Sequence, residues 1–376
     1  MASSSEERQE ARKYRVAVIG HSGRGDYGHG LDRVWLETER AQIVAVADAD
    51  GPGRTRAAER LGVRAAYADY REMLAKERPE IVSVAPRFLD EHHDMVLACV
   101  EHGASVFLEK PMCRTLAEAD AMVRACETSH VKLAIAHQTR YSPKIPVVRE
   151  VLASGRLGTV LEFRGRGKED QRGGGEDLWV LGTHVFDLIL LLGGTAKWCH
   201  ARVTEQGRPV GRDDVRDGSE GIGPLAGDGV DAMFGLASGA TAFFASHRRL
   251  AGTPTRFGLA VHGSRGVLEM RTGYLPDTYL LEDSSWSPGR TGSKWLGVSS
   301  AGVDRPEPLA DTGLHGGNLL IARDLIRAIE TDTQPLGSVY DARAAVEMIA
   351  AIFDSHRRRA PVELPLANRD NPLLAL

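Results

Sequence analysis

The stretch Arg15-Val16-Ala17-Val18-Ile19-Gly20-His21-Ser22-Gly23-Arg24-Gly25 decides the fold. Its β-branched apolar run reads as a strand. The glycines that follow at once permit a tight turn whose backbone N–H groups approach a pyrophosphate at the start of a helix. Residues 43–47 (IVAVA) are a second strand, ending at Asp48, 28 residues beyond Gly20. A carboxylate there accepts both hydroxyls of an adenosine ribose and repels a 2′-phosphate, so the expected cofactor is NAD rather than NADP.

Working outward, apolar runs at 81–85, 104–108 and 131–136 alternate with helical stretches at 54–61, 69–76, 92–102 and 116–128. The last has Thr115 placed to cap and Glu118 three residues on. Continuous apolar strands between helices mean a parallel sheet covered on both faces, and right-handed crossovers make it a doubly wound Rossmann-type domain. After residue 136 the rhythm changes. A helix at 144–154 and a strand at 160–165 precede a charged, glycine-rich loop at 167–177 and an apolar helix at 182–192. Strand-like runs follow at 198–205, 230–236, 240–247, 256–261 and 267–271, several joined by hairpin signals. Residues 206–228 and 272–312, rich in Gly, Pro, Asp and Ser, read as loops, and helices at 317–330 and 341–357 close the chain. The expectation is an α/β Rossmann domain at 14–136, then an α+β domain at 137–376 with a large, mainly antiparallel open sheet. Residues 1–13, polar and without an apolar core, read as a disordered leader.

Composition narrows the function classes. With 47 basic against 51 acidic residues the net charge is −4, which gives no electrostatic footprint for nucleic acid or an anionic membrane. No apolar run approaches the roughly 20 residues that span a bilayer. Cys99, Cys113, Cys126 and Cys199 lack metal-ligand spacing and read as reduced, mostly buried thiols of a cytoplasmic protein. No HExxH or clustered ligand set suggests a metal.

Phe107-Leu108-Glu109-Lys110-Pro111 ends a strand of the parallel sheet, and ligands of such sheets sit beyond the carboxyl ends of strands. Lys110 therefore points where a nicotinamide belongs, and Pro111 restricts it to extended geometry. An ammonium there hydrogen-bonds a substrate hydroxyl and eases its deprotonation as hydride leaves. The alternative for Lys110 is a surface lysine after a strand.

The chain resembles the Gfo/Idh/MocA oxidoreductases. The resemblance is carried by residues 16–25, 44–48, Glu109-Lys110-Pro111, Arg140-Tyr141-Ser142-Pro143, Gly182-Thr183-His184-Val185-Phe186-Asp187 and the closing Arg359-Ala360-Pro361-Val362-Glu363-Leu364-Pro365. It implies a Rossmann domain followed by an open-sheet domain, bound NAD or NADP, chemistry on sugars, inositols and related polyols, and homodimers or homotetramers packed through the open sheet. It also implies that Lys110 works with a histidine, carried here by His184. The expected cofactor-binding set is Gly20, Ser22, Gly23, Arg24, Gly25, Asp48, Pro86, Glu109 and Lys110. Arg140 and Tyr141 occupy positions that approach substrate in the family, and Asp187, one turn after His184, is placed for a polyol hydroxyl. Lys168, in a polar loop of alternating charge, and His315, in a glycine-rich stretch, are further substrate candidates.

Two departures stand out. Many members carry an Asp four residues before the histidine, and here that position is Val180, which neither carries nor orients a proton. Asp177, a further substrate-site candidate, is the nearest in-chain carboxylate, and Lys168, Glu169 and Asp170 sit in the preceding charged loop. The readings left open are that one of these substitutes or that Lys110 and His184 do the proton work alone. The glycine turn has Ser22 where a second glycine is common and continues as Asp26-Tyr27-Gly28-His29-Gly30-Leu31; its His21 and His29 read equally as cleft groups or as ordinary loop residues. Three functions are therefore weighed: hydride transfer between NAD(H) and a secondary alcohol of a sugar or cyclitol; a cofactor-recycling enzyme that oxidises transiently before elimination, epimerisation or glycoside cleavage; and a nucleotide-sensing regulator, against which Lys110 argues.

Overall fold

The computed structural model describes residues 12–376; of the expected leader, residues 1–11 lie outside the described residues. Strands β1 (Tyr14–Ile19), β2 (Ala41–Ala47), β3 (Ala65–Tyr67), β4 (Ile81–Val84), β5 (Ser105–Leu108) and β6 (Leu133–Ile135) form a parallel sheet in the order β3-β2-β1-β4-β5-β6. Every residue of β4, β5 and β6 is buried, as their unbroken apolar runs require of strands covered on both faces. Between them run α1 (Gly51–Leu61), α2 (Tyr70–Glu77), α3 (His92–Glu101) and α4 (Leu116–Thr128). Asp50, Asp69 and Thr115 cap α1, α2 and α4 by accepting backbone N–H groups, each satisfying a donor that would otherwise be orphaned.

One expected element is missing. No α-helix follows the glycine turn; the chain runs through successive turns to a short 3-10 segment, Arg33–Glu37. The cause is local, because Gly23, Gly25, Asp26, Gly28 and Gly30 all hold positive φ between 52° and 86°, and left-handed residues cannot propagate a right-handed helix. The sheet face left bare is covered from the other end of the chain. Ile321, Leu325 and Ile326 of α9 (Gly313–Glu330) pack with Val16, Val18, Trp35 and Phe107 in one buried cluster.

The second half begins with α5 (Ile145–Ala153) and β7 (Val160–Arg166). A one-turn helix, α6 (Gly175–Asp177), runs through a π-turn at Leu178–Gly182 into α7 (Thr183–Gly193). The sheet that follows comprises β8 (Ala196–Glu205), β9 (Arg208–Pro209), β12 (Gly229–Leu236), β13 (Thr241–His247), β14 (Gly258–Gly263) and β15 (Gly266–Arg271), with β10 (Arg216–Asp217) and β11 (Pro224–Leu225) forming a separate two-stranded ribbon. Segment 272–312 is not simply loop. It contributes β16 (Thr278–Leu281), β17 (Trp295–Ser299) and β18 (Gly302–Val303) around a short α8 (Pro288–Thr291), extending the sheet to eleven strands. Its glycines and prolines mark the connections, and the short strands between them lack enough residues to show period two. Pairing is antiparallel except between β7 and β13, so the sheet is mixed. The capped α10 (Val339–Arg358) lies against β8 and α7 and also reaches α4, and β19 (Val362–Glu363) closes one edge on β8. Among the described residues no helix is long and apolar enough to cross a membrane.

Candidate active site

Register concentrates the chemistry. Ile19 pairs with Ala47 and Val84, Val84 with Leu108, and Leu108 with Ile135. The residues just beyond these pairs therefore share the carboxyl edge of the sheet: Gly20, Asp48, Pro86, Glu109-Lys110 and His137. At one end of that edge a cavity of about 190 Å³ is lined by Ala47, Ala49, Ala68 and Met95 together with Gly20, Asp48, Asp69 and Glu91. Apolar walls beside a carboxylate suit an adenosine. The glycine turn is closely built around it. A Cβ at Gly20 would lie 2.2 Å from the Tyr27 ring, and one at Gly25 would lie 2.4 Å from the Arg87 amide nitrogen. With no α-helix behind the turn there is no helix dipole at this point, and the amides of Gly20, His21, Ser22, Gly23, Arg24 and Asp26 donate within the protein.

Asp48 is buried and fully engaged. Its carboxylate accepts from the Ser22 amide (3.1 Å to each oxygen), the Ser22 hydroxyl (2.8 Å), the Tyr27 hydroxyl (2.9 Å) and the Asp50 amide (2.9 Å). A carboxylate offers about four acceptor sites, so a ribose hydroxyl must displace a donor. Tyr27→Phe removes one without opening the packing against Gly20, and is expected to tighten NAD binding about five-fold, the worth of a hydrogen bond near 1 kcal/mol. Calorimetric titration with NAD checks this; weaker binding would show that the phenol hydroxyl assists the cofactor. Arg24, expected at the cofactor, is ion-paired with Asp90 and Glu91. The Pro86 carbonyl accepts from His92 Nε2 at 2.6 Å, and the Pro111 carbonyl lies 2.9 Å from Nδ1 of the same ring. His92 thus ties the ends of β4 and β5 together.

At the other end a second cavity, about 130 Å³, is lined by Lys110, His184, His29, Gln138, Thr139 and Phe257, among others. Lys110 is 5% exposed and donates from Nζ to the Val180 carbonyl at 3.0 Å. Burial lowers its pKa, partly opposed by the charges of Glu109 and Glu220. His184 enters from the first turn of α7, held by the π-turn, a helix irregularity frequent at functional sites. Its Nδ1 is buried without a partner, and burial followed by the charges of Lys110 and His137 pushes its pKa well below the ordinary histidine value. Burial thus favours the neutral ring. His137 meets it edge-on at 5.5 Å.

Several expected substrate contacts are committed elsewhere. Asp187 turns away from the cavity into a buried pair with Arg140, whose Nε lies 2.9 and 3.1 Å from the two carboxylate oxygens; His137 Nδ1 adds a contact at 3.2 Å. Burial raises the pKa of Asp187, but Arg140 and His137 outweigh it and hold the carboxyl below its usual range. Arg140 also meets the Leu336 carbonyl and Asp341, and the Tyr141 hydroxyl donates to Asp324 and accepts from the Gly337 amide. These are bonds that fasten the β6–α5 connection to α7, α9 and α10. Lys168 faces Asp170 at 3.5 Å and His315 faces Glu37 at 2.9 Å, and neither lines the cavity. The sequence alone could not show which way each of these side chains turns. His137, by contrast, was missed although the rule that found Lys110, the carboxyl end of a parallel strand, finds it equally.

Asp177, the nearest in-chain carboxylate to Val180, accepts from Ser246 at 2.6 Å and the Glu169 amide at 3.2 Å, and its Oδ1 is buried and unpartnered. Burial raises its pKa to about 6. A folded pKa above the unfolded value near 3.9 means the protonated acid is preferred in the fold. That preference is complete below pH about 4 and is lost as pH rises through about 6. The melting temperature of the wild type relative to Asp177→Asn is expected to fall between these limits and then stay flat. A constant difference would exclude the raised pKa.

Comparison with known proteins identifies the family. Residues 14–137 match the profile of the oxidoreductase family with NAD-binding Rossmann fold, and residues 146–269 match the Gfo/Idh/MocA C-terminal domain. The chain belongs to the Gfo/Idh/MocA oxidoreductase family. Its first domain is accordingly an NAD-binding Rossmann domain. Among curated Gfo/Idh/MocA relatives, D-apiose dehydrogenase of Paraburkholderia graminis is 31% identical over 148 residues, 39% of this chain and 38% of that protein. Levoglucosan dehydrogenase of Pseudarthrobacter phenanthrenivorans is 25% identical over 248 residues, 59% of this chain and 63% of that one. Each match spans less than two thirds of the relative's length. The solved structure of levoglucosan dehydrogenase with NADH and levoglucosan superposes with a TM-score of 0.76 at 20% identity, covering 94% of this chain and all of that one. This likeness shows the shared family fold, including the large sheet.

Proposed function

We propose that this protein is an NAD(H)-dependent oxidoreductase that moves hydride to or from a secondary alcohol carbon of a sugar, cyclitol or derivative. The observation that carries the reading is the meeting of Lys110 and His184 in one enclosed cavity at the carboxyl edge of the Rossmann sheet. Asp48 and the Gly20–Gly25 turn would hold the adenosine and pyrophosphate, leaving Lys110 beside the nicotinamide, which supplies the hydride acceptor or donor. The cavity side chains do the rest. Lys110 has one N–H on Val180 and two free, enough to hold the reacting hydroxyl oxygen and favour its negative charge. Gln138 and Thr139 supply neutral polar groups suited to further hydroxyls, and Phe257, Leu181 and Leu314 exclude water from the reacting carbon. The dehydrogenases of apiose, levoglucosan and inositol among the relatives support a polyhydroxylated substrate.

A panel of sugars, inositols and sugar acids, followed by NADH absorbance and product mass together, tests the reading. Equimolar NADH and ketone are expected. Product without accumulating NADH would replace it with a recycling reaction, and tight NAD binding without product would favour a sensor. Asp48→Ala is expected to weaken NAD about ten-fold or more and NADP much less, since only NAD presents both ribose hydroxyls. Equal losses would refute the ribose role. The open sheet face, where Phe243 and Tyr279 are exposed, supports association of two or four copies. Four buried free thiols support a cytoplasmic setting.

A further inference from the structure

Val180 leaves His184 without the carboxylate that a proton-transferring imidazole ordinarily needs, and no other protein group replaces it at Nδ1. Asp187 is spent on Arg140 and His137, and Asp177 on Ser246. The same cavity nevertheless contains a second imidazole that has a carboxylate. Glu109 is completely buried; its Oε1 lies 3.0 Å from His29 Nδ1, and its Oε2 accepts the His29 backbone N–H at 3.3 Å. The geometry points to the His29–Glu109 pair as the proton relay of this site, with His29 Nε2 exchanging the proton of the substrate hydroxyl; this rests on the dehydrogenase reading above.

An ionised carboxylate only accepts hydrogen bonds, so facing Glu109 the His29 Nδ1 carries the hydrogen and Nε2 keeps its lone pair. Nε2 has no hydrogen-bond partner among the described residues and is not buried, and the ring lines the cavity beside Lys110 and His184. This is the division of labour in which a buried carboxylate fixes the tautomer and steadies the imidazolium that forms. The glycine turn is shaped to deliver the ring. Gly28, at φ 59°, passes so close that a Cβ would lie 2.5 Å from the Ala85 carbonyl and 2.6 Å from Glu109 Oε2. Asn318 Nδ2 then donates to the His29 carbonyl at 3.0 Å and is itself fixed by Gln138 at 2.8 Å. The left-handed glycines that abolish the usual helix are thus the ones that bring His29 to the reacting hydroxyl.

The step balances. The hydroxyl O–H bond breaks and its proton passes to Nε2; the freed pair forms the C=O bond, and the C–H pair leaves as hydride to the oxidised nicotinamide. Lys110 stays protonated and holds the oxygen throughout. Imidazolium His29, 29% exposed at its side chain, then returns its proton to solvent.

Two measurements on the full-length protein test this. In protein with nitrogen-15 histidine, with His29→Gln as the assignment control, the neutral His29 ring is expected in the Nδ1–H form, and Glu109→Gln is expected to abolish that bias. A ring protonated on Nε2 overturns the relay. On whichever polyol the panel identifies, His29→Gln is expected to lower kcat at least about 100-fold with KM and NAD affinity within about three-fold, and added imidazole to restore His29→Ala but not Lys110→Ala. Unchanged kcat, or a loss confined to KM, overturns it. If the wild type oxidises no polyol, the dehydrogenase reading falls, and the tautomer measurement still decides whether Glu109 holds His29 as a base.

Discussion

Lys110→Ala is expected to lower kcat by about 10³-fold while leaving NAD affinity within a few-fold. The ammonium sits at the carboxyl end of β5, almost wholly buried, with the Val180 carbonyl as its protein partner. In so dry a setting a positive charge aimed at a developing alkoxide is worth far more than in water. The adenosine pocket around Asp48 lies at the opposite end of the sheet edge, so cofactor affinity is insulated from the change. The substitution leaves the Val180 carbonyl unpaired, which costs about 1–3 kcal/mol of stability. Parallel thermal unfolding separates that loss from the kinetic one. Steady-state kinetics with NADH titration provides the check, and turnover within ten-fold of wild type would remove Lys110 from the chemistry.

Asp187→Ala is expected to act on stability rather than on substrate affinity, costing about 3–5 kcal/mol, the usual consequence of stripping the partner from a buried charge. Arg140, 4% exposed in the native fold, would keep Asp341 but lose its partner at Nε, and His137 would lose the Asp187 carboxylate. The pair's contribution also has a direction in pH. Because the folded pKa of Asp187 lies below the unfolded value near 3.9, its stabilisation is complete above that value and disappears as pH falls through the folded one. Denaturant unfolding checks the magnitude. A raised KM with unchanged unfolding would instead return Asp187 to the substrate.

What was legible in the sequence follows from which signals are local. The parallel strands announced themselves through unbroken apolar runs, and Asp48 and Lys110 through their place at strand ends, because strand register carries each to the same edge. Arg140 and Tyr141 were placed near the site by the family resemblance, and Asp187 by its spacing of one helical turn from His184. Their roles were not visible, since whether a buried polar side chain faces a ligand or another helix depends on rotamers and on partners such as Asp324 and Asp341, nearly two hundred residues away. The missing helix after Gly20 was readable in principle, since four glycines within eight residues (23, 25, 28 and 30) disfavour a helix however well a strand precedes them. Strands β16 to β18 were lost among turn residues because sheets recruit short segments by pairing rather than by pattern.

The cover that α9 provides for the first sheet has a consequence for how the molecule is made. Phe107 is synthesised roughly two hundred residues, and Val16, Val18 and Trp35 roughly three hundred residues, before Ile321, Leu325 and Ile326 bury them. A nascent chain that has just completed β6 therefore has this face only partly covered, by Leu31, Trp35, Ala57 and Leu61, and it must wait for most of the second half before its core closes. Long-range closure of this kind slows folding and leaves apolar surface open to association in the interval. The nucleotide-binding half is complete as a sequence long before it is complete as a structure, and a chain released early would emerge as a client for chaperones rather than as an independent cofactor-binding module.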